Sequence, residues 1–154
     1  MFPHAPFQPH PQRLLPTRPL VLWSYTDLSD DRYTLGPGLV RLRQDANGNN
    51  QKIGMPVAQG YAAYANHGNL FIKRFAYDEH AEYPDFGCNF ETFTRQDMLE
   101  IESLGPLQKV SAGGYAEHCE TWYLVEKAAP PEDTAEAAKW LDAIAKDRPH
   151  FAND

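Results

Sequence analysis

The chain has only two cysteines in 154 residues, and Cys88 and Cys119 belong to no CxxC pair and no paired-histidine spacing. That pattern signals neither a zinc site nor a disulfide framework, so two ordinary buried thiols and no bound metal are expected. Basic residues are also in short supply. Fourteen Lys and Arg against 21 Asp and Glu leave a net charge of −7, which argues against a nucleic-acid footprint or a patch for anionic membranes, since both need clustered cations. No run approaches the roughly 20 apolar residues of a membrane span. The opening "MFPHAPFQPHPQRLLP" lacks the apolar middle of a signal peptide. P-loop, GxGxxG, GxSxG and HExxH patterns are missing too, so no cofactor is signalled. The expectation is a cytoplasmic protein whose partner is a neutral or weakly charged small molecule, not a nucleic acid or a membrane.

What is present is enough for one globular domain: 42% hydrophobic and 23% charged residues. Residues 1–19 hold six of the 13 prolines, which oppose both helix and central strand, and read as an extended arm or docking tail. Residues 20–127 have a β texture. "LVLWSY", "GLVRLRQ", "YAAYAN", "NLFIKRFAY", "GCNFETFTR", "DMLEIESLG", "LQKVSA" and "ETWYLVE" are short runs rich in aromatic and β-branched residues. "DANGNNQ" and "NHGN" supply Asn-Gly and Gly-Asn steps that favour positive φ, and "NHGN" between aromatic strands reads as a hairpin. Residues 128–154 form a tail in which the spacing predicts a helix over 132–147, with Thr134 as N-cap and Ala137, Trp140, Leu141 and Ile144 on one stripe. The fold class is mainly β: an antiparallel β-sandwich with a C-terminal α-helix.

Candidate chemistry sits in "DMLEIESLGPL". In an extended chain Glu100 and Glu102 share a face with Met98 and Leu104, opposite Leu99 and Ile101. The preceding strand alternates likewise, and a short link at Gln96 brings Glu91 toward the same glutamate face. In "CETWYLVE" the alternation groups Glu120 with Trp122 and Leu124. Glutamates on an antiparallel sheet are often merely solvated. Mixed with Phe93 and Trp122, however, they suit a polyol, with hydrogen bonds to hydroxyls and an aromatic plate under the C–H face. His67, His80 and His118 are candidate acids or bases, because imidazole titrates near neutrality. Asp85 in "YPDFGCN" reads as a turn former, and Lys52 and Lys73 can pair with carboxylates across the sheet.

"MLEIESLGPL" followed by "AGGYAEHCETWYLVE" resembles the closing section of galactose-mutarotase-like proteins. "LPTRPLVLWSYTDLSDDR", "QKIG" and "YPDFGCNFETFT" are similar to an uncharacterised bacterial branch of that superfamily, a domain of unknown function, over roughly residues 15–126. The resemblance implies part of a supersandwich with a sugar-binding face. It also implies an aldose 1-epimerase-type isomerase in which Glu102 is the base that takes the anomeric proton. Beside it, the expected sugar-binding residues are Glu91, Glu100 and Trp122, from the strand alternation, and His67 and His118, as candidate acids or bases. Family members are longer, and the family's histidine acid does not map onto His67, His80 or His118. The expectation is therefore a C-terminal half, catalytically impaired. The alternative is an interaction module that forms a homodimer through an exposed sheet edge.

Overall fold

The computed structural model describes residues 1–5, 7–12 and 14–151. Among the described residues ten strands and two helical segments follow one another: β1 (Phe2–Pro3), β2 (Val21–Leu22), β3 (Tyr33–Leu35), β4 (Leu39–Leu42), β5 (Gln51–Met55), β6 (Tyr61–Asn66), β7 (Asn69–Phe75), α1 (Pro84–Gly87), β8 (Phe90–Arg95), β9 (Met98–Ser103), β10 (Glu120–Val125) and α2 (Thr134–Lys146). They build three antiparallel sheets, ordered β1-β4-β3, β10-β7-β6 and β2-β5-β8-β9. The chain is mainly β with a C-terminal helix.

Neighbouring residues on β6 fix the layering. Ala62 belongs to a core shared with Ile53, Met55 and Phe90, whereas Tyr61 and Ala63 belong to a core shared with Ala137, Leu141 and Ala145 of α2. Successive strand residues point to opposite faces, so the β10-β7-β6 sheet lies between the four-stranded sheet and the helix. In the first core Phe90 stacks on Phe75 at 5.7 Å and meets Phe2 at 4.7 Å. Phe2 is 1% exposed, so the proline-rich opening stretch begins inside the fold, paired with β4.

Local chemistry explains the joints. The β6–β7 hairpin turns through His67 and Gly68, both at positive φ (48° and 73°), as the "NHGN" step anticipates. Gly48 in "DANGNNQ" is different: its φ is not positive, and a Cβ there would sit 2.3 Å from the Arg32 guanidinium. Glycine is needed at that position for space. Arg32 is 2% exposed and lies 2.7 Å from Asp30. Helix α2 is capped by Asp133 instead of the expected Thr134. The Asp133 carboxylate accepts from the amides of Ala135 and Glu136, and a negative charge there suits the helix dipole. "LQKVSA" forms no strand; residues 107–117 run exposed, and Leu107 N–H bonds to Glu82.

Candidate functional site

Strands β8 and β9 pair through the tight turn at Gln96 and Asp97, in a register that sets Glu91 opposite Glu102 and Phe93 opposite Glu100. On the other side of β8, Gly54 faces Glu91 and Lys52 faces Phe93. Phe90, Thr92, Leu99 and Ile101 turn inward. Lys52, Glu91, Phe93, Glu100 and Glu102 therefore share the outer face of the four-stranded sheet.

Lys52 organises this face. Its Nζ lies 2.8 Å from Glu91 Oε2 and 3.0 Å from Glu102 Oε2, and 4.9 Å from the centre of the Trp23 ring. Burial works against the ammonium, but hydrogen bonds to the two carboxylates outweigh it and hold its pKa above the usual lysine value. Glu91 is 3% exposed, and its Oε1 is buried without a hydrogen-bond partner. Burial raises its pKa; Lys52 opposes the rise and Asp85 adds to it. Glu100 is also raised, first by burial and then by Glu102 beside it. One ammonium thus stands among three carboxyl groups, with the pKa of Glu91 and of Glu100 raised chiefly by burial, and such environments are the means by which neighbouring carboxyls take different roles.

Two backbone features frame the face. Gly54 leaves room for its neighbours: a Cβ would stand 2.7 Å from Cys88 Sγ, 3.1 Å from Glu91 Cγ and 3.2 Å from the Trp23 ring. In α1, Asp85 (φ 48°), Phe86 (φ 60°) and Gly87 (φ 97°) all occupy left-handed backbone, and Phe86 is 94% exposed. A bulky residue at positive φ stores strain, and such strain concentrates at functional sites.

The remaining candidates lie elsewhere. β10 pairs with β7, with Trp122 opposite Lys73, and does not join β8 and β9. Trp122 Nε1 donates to Glu120 Oε2 at 2.8 Å, Lys73 Nζ is 2.8 Å from Glu120 Oε1, and Ser103 donates to Glu120 and lies 2.8 Å from His118 Nε2. Burial works against the Glu120 carboxylate, but its bonds to Lys73, Ser103 and Trp122 prevail and lower its pKa. Ser103 and Glu102 point to opposite sides of β9, so His118 and Trp122 form a second cluster behind the strand that carries Glu102. His67 sits in the β6–β7 turn, and His80 is exposed beside Glu79. Trp23 escaped the sequence reading. It follows β2, whose Val21 pairs with Gly54, and that long-range pairing brings it to the face.

Among the described residues no group of three or more His, Cys, Asp or Glu is arranged to hold a metal ion, and no helix is long and apolar enough to cross a membrane. Comparison with known proteins found no match among family models, curated proteins or solved structures.

Proposed function

We propose that the chain is a carbohydrate-binding domain of the galactose-mutarotase-like kind and that the outer face around Lys52 receives an aldose. In this reading the Glu102 carboxylate takes the proton of the anomeric hydroxyl as the ring C–O bond breaks, and Glu100 returns a proton to the ring oxygen. Reclosure on the other face of the carbonyl gives the second anomer, so the reaction is an aldose 1-epimerisation. The observation that carries the reading is the shared Lys52: it pairs directly with Glu102 and Glu91, while Glu100, without such a pair, is pushed toward its protonated form. Trp23 and Phe93 beside these carboxyls offer the apolar surface that a sugar's C–H face needs. Polarimetry on freshly dissolved aldose tests it. Glu102→Gln should lower any acceleration by the ~10²–10⁴-fold that acid–base catalysis contributes, and a wild type without acceleration leaves binding as the whole function.

A second reading, an interaction module that pairs with another copy of itself, is favoured by the position of β9. It is the outer strand of its sheet, and an unpaired edge is a template for a further strand. The mass in solution tests it, because a monomer at high concentration would exclude that reading.

A further inference from the structure

A cavity of about 530 Å³ lies away from the carboxylate face. Its origin is the short first strand. Met1 exchanges two backbone hydrogen bonds with Ala63 of β6, and Phe2 pairs with Val40 of β4. β4 and β6 thus run side by side with β1 bridging them, and the cavity occupies the space between Arg41–Gln44 and Ala63–His67.

The charge of its wall is unlike that of the chain. Arg41, Arg43, Gln44, Tyr64, Asn66 and His67 line it, and no aspartate or glutamate does, although the protein carries a net charge of −7. The Arg41 amino groups donate to the backbone carbonyls of Pro131 and Glu132, and its Nε–H has no acceptor. Its charge therefore meets no carboxylate among the described residues. Arg43 is 60% exposed and only 3.8 Å from Asp31, a loose surface pair that constrains the side chain little. A guanidinium presents a fork of donors that matches phosphate oxygens.

We infer that this cavity is a binding site for a small organic phosphate, with Arg41 and Arg43 facing the phosphate and Gln44, Asn66 and His67 supplying further hydrogen bonds. Two arginines suit a dianion. The volume exceeds that of the bare ion and falls in the range of small-molecule pockets, and Leu42, Ala65 and Pro130 give the organic part an apolar wall.

The test is titration of the full chain with inorganic phosphate as the probe, against sodium chloride of equal ionic strength. It is read by amide chemical shifts and by thermal melting. Binding should move the amides of residues 41–44 and 64–67 and raise the melting temperature beyond the chloride control. Arg43→Gln, at an exposed position, should fold as the wild type does and weaken phosphate binding by about tenfold or more. Glu102→Gln should leave it unchanged, because the carboxylate face is a separate site. Shifts reproduced by chloride, or an Arg43→Gln protein that binds phosphate as tightly as the wild type, would overturn the assignment.

Discussion

Glu91 and Glu102 stand directly opposite each other on neighbouring strands, and one lysine nitrogen lies within 3.0 Å of both. Like charges facing each other across a ladder are destabilising; the Lys52 ammonium between them is what makes the register tolerable. Lys52→Met should therefore cost about 3–5 kcal/mol, the range for breaking a buried pair from one side. Adding Glu91→Gln should recover much of the loss. Urea denaturation of the two variants checks this, and an unchanged midpoint for Lys52→Met would remove the lysine from the centre of the account.

The pH dependence of Glu91 follows from the direction of its shift. Its folded-state pKa is raised above 4.5, chiefly by burial, so the folded chain holds that proton more tightly than the unfolded chain. The stability it contributes is complete below 4.5 and is lost as the pH rises through the folded value. Glutamine mimics the protonated form. The stability of Glu91→Gln relative to wild type should rise between mildly acidic and neutral pH, measured as the difference in melting temperature.

Asp30 behaves in the opposite sense. The hydrogen bond from buried Arg32 is the main cause that lowers its pKa to about 2. Its contribution is present above 3.8 and disappears as the pH falls toward 2. Asp30→Asn should melt well below wild type at neutral pH, and the gap should close in strong acid.

Gly54 tests the packing under the site. A Cβ would come within 2.7 Å of Cys88 Sγ, so Gly54→Ala should cost about 1–3 kcal/mol, as overpacking does. Cys88→Ala in the same chain should relieve part of it. Equilibrium unfolding of the single and double variants measures the coupling.

Much of this face was legible in the sequence. Alternation in "FETFTR" and "MLEIES", joined by a two-residue link, dictates that Glu91, Glu100 and Glu102 emerge on one side, and the β8–β9 register agrees. Alternation says which face of a strand a residue takes, but not which sheet the strand joins. Alternation alone therefore places Trp122 with the glutamates, yet β10 pairs with β7. Trp23 and the Gly54 contact depend on long-range approach, which no local pattern encodes. Asp133 and Thr134 are both good caps, and only the chain's entry into α2 chose between them.

The central claim is that an aldose binds on the outer face around Lys52, and amide and indole chemical shifts during titration with an aldopyranose test it most directly. The account predicts that the Trp23 indole N–H and the amides of Lys52, Glu91, Glu100 and Glu102 move together and saturate, and that Glu102→Gln weakens the binding while the protein stays folded. Shifts confined to Trp122 and His118, or none at all up to high sugar concentration, would contradict it.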